Sequence, residues 1–527
     1  MSTQTPDTHS ADEDFLDIDS FDSQLEAILS QIIAMYRADD IPWVVGYSGG
    51  KDSTSVLQLV WLALTRLDAS DRHKHIYVIT TDTLVENPIV ASWVERSLQR
   101  LERRASEEDL PLTAHRLTPK VEETYWVNLL GRGYPAPRPK FRWCTMRMKI
   151  KPSNEFINSV VRSHGEAIVV LGTRKSESSA RAAVMNRLEQ KSVRDNLRPH
   201  TMMPNSYVYS PIQEWTDADV WTFLSLVENP WGTNNDDLRD MYRGANPDRE
   251  CPVVVEEGTP SCGDSRFGCW VCTLVEKDKS MSAMIQNDAE KSWMQPLLTL
   301  RDELIPRDED GAPDDQHLRD FRRMHGGVEL KNDQTQPIPG PYTQNTREHF
   351  LRRVLEAQVY VQRHAPEHMK DLSLITLDEL REIRRIWVNE KHELEDSLPQ
   401  IYENVLGTPF PDNKFTEDLP IGGDEISLLR DICGNDRLQF ELTRELLSVE
   451  RQHRHLARRH GLFTALERSV RKHFYDDATD ATKRAQDHQS RLTEERRRLD
   501  ALDGEETWDQ QPSLPLDSKD QEKDHHL

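Results

Sequence analysis

The sequence predicts an α/β fold: a parallel sheet with helices on both faces, followed by a largely helical C-terminal region. Three observations carry this. Short apolar runs at 43–45, 75–82 and 167–172 have the composition of buried strands. The second and third end in polar or glycine residues, and ligands of open α/β sheets sit at the carboxyl ends of such strands. Beyond residue 341 the apolar residues recur at helical spacing instead.

Residues 1–20 are polar and acidic, the composition of a solvated tail. Leu25, Ile28, Leu29, Ile32, Ile33 and Tyr36 then mark a lead-in helix. The first strand and the helix carrying Val56, Val60, Leu64 and Leu67 enclose Ser48, Gly49, Gly50, Lys51, Asp52 and Ser53. Adjacent glycines let backbone approach a ligand closely, and consecutive N–H groups at a helix N-terminus favour an anion, most often phosphate. Lys51 adds a mobile positive charge. No glycine stands five residues before Gly50, so the common G-x-x-x-x-G-K-[ST] loop is excluded.

The strand at 75–82 would turn Thr81 and Asp82 toward a nucleotide, with Glu86 just past its end. Pro88 opens a helix running to Leu101, and a third strand is expected at 113–117. Residues 126–139, with Gly131, Gly133, Pro135, Pro137 and Pro139, read as a stiff irregular loop. It leads to Cys144, whose neighbours Arg142, Arg147 and Lys149 would lower a thiol's pKa or hold an anion. After the strand ending at Gly172, Arg174 and Arg181 are spaced to bracket a phosphate or sulfate group, with Glu177 as a partner for one of them. Thr216 or Asp217 caps the next amphipathic helix. Stretches 297–304, 317–325, 346–363, 377–394, 437–447 and 448–502 read as helices, the last as a charged arm for a partner, and 332–341 as a linker.

Composition narrows the class. At 527 residues the chain has room for two to four domains. No apolar run approaches membrane-spanning length and the N-terminus lacks the features of a secretory signal, so no membrane partner and a cytoplasmic address are expected. The net charge of -24 argues against bulk attraction to nucleic acid, leaving only local basic surfaces. Those are expected where Arg, Lys and His are frequent, at 346–391 and 437–498. The domain boundaries expected are 1–20 tail, 21–235 nucleotide domain, 236–331 cysteine block, 341–502 helical domain and 503–527 acidic tail.

Four of the six cysteines, Cys251, Cys262, Cys269 and Cys272, are spaced Cys-x10-Cys-x6-Cys-x2-Cys. In a cytosolic chain such clustering reads as metal binding, with zinc and an iron–sulfur cluster both compatible with four thiolates. The single Cys-x2-Cys pair and the apolar Val253, Val254, Val255, Phe267 and Trp270 suggest a shielded redox cluster.

Ser48 to Ser53 resembles the PP-loop of ATP pyrophosphatases. With Arg142, Trp143, Cys144, Lys149 and Pro152, and with Leu171, Gly172, Arg174, Glu177 and Arg181, the chain resembles the phosphoadenylylsulfate reductase superfamily. Residues 81–88, 131–137 and 262–273 narrow the resemblance to the sulfurtransferases of bacterial DNA phosphorothioation. It implies an enzyme that splits ATP between the α and β phosphates, with Mg2+ and a [4Fe-4S] cluster. Its partners would be a cysteine desulfurase, other modification proteins and DNA within their complex.

From their spacing, Lys51 and the amides of Gly49 and Gly50 would stabilise the pyrophosphate, and Asp52 would hold magnesium or orient the loop. Arg174 and Arg181 would clamp phosphate, Asp82 would serve the adenosine or metal side, and Ser48, Ser53 and Gly172 would complete the nucleotide site. The four clustered cysteines would bind the cluster, with Cys144 a persulfide carrier or a replacement ligand. Reductases of the superfamily commonly carry a C-terminal cysteine motif, and no cysteine follows Cys433, which disfavours a plain sulfonucleotide reductase. A nucleotide-binding scaffold of a DNA-modifying assembly is the alternative from another class.

Overall fold

The computed structural model describes residues 18–245, 267–333, 335–411, 423–454 and 461–505. Cys251, Cys262 and most of both expected tails lie outside the described residues. Six strands, β1 (Trp43–Gly46), β2 (Ile76–Thr81), β3 (Leu112–Leu117), β4 (Ala167–Val170), β5 (Leu197–Pro199) and β6 (Ser206–Tyr209), form one sheet in the order β3-β2-β1-β4-β6-β5. All neighbours are parallel except β5 and β6. Antiparallel β5 sits at the edge, where Pro199 interrupts no central ladder. Val45 pairs with Val78 on one side and Val170 on the other, so β1 lies at the sheet's centre. The chain turns from one side of β1 to the other between β3 and β4, which opens a crevice at the carboxyl ends.

Seven helices accompany the sheet: α1 (Ile18–Arg37), α2 (Lys51–Thr65), α3 (Pro88–Glu107), α4 (Lys151–His164), α5 (Ser179–Glu189), α6 (Asp217–Leu226) and α7 (Asn235–Gly244). One sheet face buries Trp43, Val45 and Val78 with Leu29, Val60, Leu101 and Val220. The other buries Val44, Ile79 and Val169 with Ile157 and Val160 of α4, giving helices on both faces as expected. Start signals are explicit. Asn87 accepts from Ile89 N at 3.0 Å with Pro88 following, and Thr216 and Asp219 cap each other's N–H groups before α6.

Further helices are α8 (Lys279–Asn287), α9 (Gln295–Glu303), α10 (Gln344–His364), α11 (Leu377–Arg385), α12 (Ser397–Leu406), α13 (Gly423–Cys433), α14 (Arg437–Arg454), α15 (Leu462–Lys472) and α16 (Ala478–Glu505). None of the described helices is long and apolar enough to cross a membrane.

The chain divides into two compact units, Met1–Arg319 with Pro341–Leu429, and Asp320–Gly340 with Arg430–Leu527. This differs from a boundary at 331–341. Residues 341–411 complete an apolar core that begins at Val85 and Tyr125 and takes in Trp270, Met284 and Leu297, together with Leu351, Val354, Ile383 and Trp387. In the second unit, Arg322 bridges Asp320 (2.8 Å) and Glu441 (2.5 Å).

Three local readings change. Val127–Gly131, inside the expected irregular loop, winds into a wide helical turn because Val127, Leu129 and Leu130 are fully buried. Of 317–325 only the turn Gln316–Leu318 is helical, since Asp320 instead accepts from Arg322 N at 2.8 Å in a local turn. The expected arm at 448–502 is interrupted: Gly461 takes φ +82°, and α15 stops at Lys472 before α16 begins at Ala478.

Candidate functional site

Gly49 adopts φ +74°, and a Cβ there would meet a methyl of Val94 at 2.4 Å, so only glycine fits this turn. Trp93 Nε1 donates to Gly49 O at 3.2 Å. Ser53 Oγ accepts from Ser48 N at 3.1 Å and donates to Gly50 O at 3.1 Å, which closes the loop on itself. Lys51 N donates to Tyr242 Oη at 3.3 Å. Gly172, at the end of β4, comes so close that a Cβ would lie 2.8 Å from Asp52 O. The expected phosphate loop is thus a rigid turn, pinned from α3, α7 and β4.

Above it lies a four-membered charge network. Lys51 Nζ is 2.9 Å from Asp52 and 3.1 Å from Asp217. Arg174 donates through Nε to Asp52 at 2.7 Å and through Nη2 to Asp217 at 2.6 Å. The cations are enclosed, with side chains 8 % exposed for Lys51 and 3 % for Arg174. Burial opposes the charge of Arg174, yet Asp52 and Asp217 hold its pKa above the ordinary value. Asp217 Oδ2 is buried without a hydrogen-bond partner, an acceptor that suits a cation or a ligand donor. Asp217 and Tyr242 were not legible as site residues, since the T-x-x-D spacing around Asp217 signals only a helix start.

Other expected nucleotide residues are placed differently. Asp82 accepts from Arg116 Nε of β3 at 3.0 Å and from Leu84 N at 2.8 Å, holding Leu84 at φ +64°. Its carboxylate therefore braces the strand end. Arg181, in the first turn of α5, pairs with Glu177 just before that helix and is exposed. Arg174 alone of the expected clamp reaches the loop.

The segment 267–272 is stitched to the end of neighbouring β2. Asn87 N donates to Gly268 O at 3.2 Å and Trp270 N to Val85 O at 2.9 Å. Cys269 Sγ lies 3.2 Å from Thr83 Oγ1 and 3.7 Å from Glu86 Oε1, and Lys149 Nζ is 3.3 Å from the same Glu86 oxygen. Buried Arg301 donates to Cys272 O at 3.0 Å and Glu276 O at 2.8 Å, fixing the turn. Cys144 and Cys269 both pack against the apolar cluster that contains buried Tyr125 and Trp270. Burial pushes the Cys269 thiol well up, with Glu86 adding to it, and burial raises Cys144, with Cys272 adding. Burial opposes the charge of Lys149, but Cys269 and Glu86 more than offset it and hold the ammonium charged.

Among the described residues no group of three or more His, Cys, Asp or Glu side chains is arranged to hold a metal ion. Cys144, Cys269 and Cys272 are half-buried, and their soft thiol chemistry is of the kind that suits a thiolate-bound cation, which would offset the burial that raises Cys144 and Cys269.

Residues 42–232 match the phosphoadenosine phosphosulfate reductase domain family, so the chain carries a PP-loop nucleotide-binding domain of that kind. Among solved structures it is similar to a phosphoadenylyl-sulfate (PAPS) reductase from Candida auris in a phosphate complex, at 12% identity and a TM-score of 0.25, covering 40% of this chain and 87% of that one. It is also similar to the U34-tRNA thiolase NcsA from Methanococcus maripaludis with its [4Fe-4S] cluster, at 13% identity and a TM-score of 0.27, covering 42% and 73%. No curated protein matches the chain.

Proposed function

We propose, taking a PP-loop domain of the PAPS-reductase kind as the premise, that this chain is an ATP-dependent sulfurtransferase of DNA phosphorothioation, as its resemblance to DndC and SspD implies. One observation carries the reading most directly. Phe267, two residues before Cys269, packs edge-on against Tyr242 with ring centroids 4.5 Å apart, and Tyr242 Oη accepts the Lys51 N–H. That chain of contacts links the loop after β1 to the segment carrying Cys269, which supports the reading.

A backbone phosphate oxygen is a poor leaving group. Attack of that oxygen on the α-phosphorus of ATP, with loss of pyrophosphate, makes it part of an AMP leaving group, and a sulfur nucleophile then displaces AMP. Lys51 and the amides at Gly49 and Gly50 would stabilise the departing pyrophosphate, the kind of contact that contributes most in such transfers. Asp52 and Asp217 hold Lys51 and Arg174 in place and offer carboxylate oxygens to magnesium. Cys269, Cys272 and Cys144, with Cys251 and Cys262, would hold an iron–sulfur cluster or carry sulfur. When bound, a [4Fe-4S] cluster supplies a site that can hold or reduce sulfur. A cysteine desulfurase and companion modification proteins are the partners proposed. A sulfonucleotide-reductase-like activity is the second reading, favoured by the family match.

Pyrophosphate release from ATP tests the nucleotide half: Lys51→Ala should lower it by about 10²- to 10³-fold. Full retention would overturn the assignment. Anaerobically purified protein should carry iron and acid-labile sulfide; a colourless protein with stoichiometric zinc would overturn the cluster.

A further inference from the structure

Between Glu123 and Glu155 the chain has seven Lys and Arg residues and no Asp or Glu, in a protein whose net charge is -24. Five of the seven meet carboxylates. Arg132 is 3.9 Å from Glu390, Arg138 pairs with Asp315, Arg147 and Lys151 converge on Glu123, and Lys149 reaches Glu86. The remaining two, Lys140 and Arg142, have no carboxylate partner among the described residues and are exposed. Between them stands Phe141, 43% exposed.

These three residues sit at and beside the tip of a rigid turn. Phe141 N donates to Arg138 O at 2.8 Å and Arg138 N to Phe141 O at 3.3 Å, with Pro139 and Lys140 at the bend. Arg138 anchors the turn to fully buried Asp315. Trp143 Nε1 donates to Pro135 O at 3.0 Å, and Arg142 Nε folds back onto Pro139 O at 3.2 Å. The tip leads directly into Cys144.

From this arrangement we infer that residues 140–142 bind a single strand of DNA and bring its backbone to Cys144. Lys140 and Arg142 are unpaired cations that neutralise two phosphates, and Phe141 offers the aromatic face on which an unpaired base stacks. The rigid turn holds the three at fixed separation, as contact with a repeating sugar-phosphate chain requires. The choice of DNA rests on the function proposed above; the presence of a polyanion-binding tip does not.

The test is binding of a fluorescent single-stranded DNA oligonucleotide by the full chain, followed by anisotropy across a salt series. Lys140→Ala with Arg142→Ala should weaken binding at least tenfold and reduce the slope of log K against log salt by about 1.4. Phe141→Ala should weaken binding about fivefold or more with the slope unchanged. Circular dichroism and thermal melting of each variant verify folding, and Lys140→Gln with Arg142→Gln provides a second pair that keeps the side chains long. Wild-type affinity in both folded pairs overturns the inference, as does a tenfold preference for RNA or duplex DNA. Pyrophosphate release from ATP by the same wild-type protein separates the two claims. A chain that binds through the tip without splitting ATP keeps this inference and loses the sulfur-transfer reading.

Discussion

The loop after β1 and the turn before Cys144 are both cationic, and they treat that charge in opposite ways. Lys51 and Arg174 are enclosed and matched one for one by Asp52 and Asp217. Lys140 and Arg142 are exposed, with no carboxylate opposite them among the described residues, a few positions before half-buried Cys144. A matched, enclosed network holds geometry and must open or rearrange to admit a polyphosphate. An unmatched, exposed pair contributes almost nothing to folding and keeps its full attraction for whatever arrives. The same residue types therefore serve preorganisation in one place and recruitment in the other.

The contrast breaks most visibly at Arg174. Arg174→Met leaves two carboxylates facing Lys51 alone, and chemical denaturation should show a loss of roughly 3 kcal/mol, the lower end for a broken buried pair because Asp52 and Asp217 retain about a quarter of their exposure. An unchanged midpoint would mean that the network is not a structural unit. Gly172→Ala should cost about 1–3 kcal/mol and reduce nucleotide affinity, since its Cβ would press on the Asp52 backbone and shift the loop. Isothermal titration with ATP reads the second effect, and native affinity would show that the loop yields freely. At the other extreme, Lys140→Ala with Arg142→Ala should move stability by no more than about 0.5 kcal/mol in the same denaturation assay.

The second unit gives the comparison a pH axis. Burial lowers the pKa of His473, which lies 3.7 Å from Glu441 and 3.8 Å from Glu445, with Lys472 and Arg322 opposing its charge. Burial pushes Asp320 and Glu441 up, but Arg322 and Arg437 bring both below their ordinary values. The depressed His473 binds its proton more readily when unfolded, so stability falls as pH drops through about 6.5. The depressed carboxylates contribute stability above their unfolded values and lose it as pH falls through their folded ones. Hydrogen-exchange protection in α14 and α15, taken relative to the intrinsic base-catalysed rate at each pH, should fall from pH 7 to pH 5, and protection that rises would contradict the assignment.

What the sequence disclosed follows from how local each signal is. Gly49 and Gly50 between an apolar run and a helical period identify the loop because turn, anion and helix start are encoded in adjacent residues. Cys269 and Cys272 declare themselves by spacing, and Cys144 by its cations. Asp217 did not, because its reach to Lys51 depends on where α6 docks against α2, some 166 positions apart in the chain. The partner of Asp82, Arg116, could not be read from the sequence because it belongs to the next strand. Strands β5 (Leu-Arg-Pro) and β6 (Ser-Tyr-Val-Tyr) lack the aliphatic run that marks β1 and β4, and they were missed.

Two indoles lie across the first unit in reciprocal fashion: Trp126 Nε1 donates to Leu374 O and Trp387 Nε1 to Leu130 O, each at 2.7 Å. Each half of the interlock supplies a donor to the other's backbone, so neither closes alone. Cutting the gene after the cysteine block would not leave a self-sufficient unit. It would uncover the turn at 127–131 and strip the wall behind Tyr125. Residues 374–387 are built into the same core as Tyr125, and any attempt to move the preceding residues of the first unit onto another carrier must take them along.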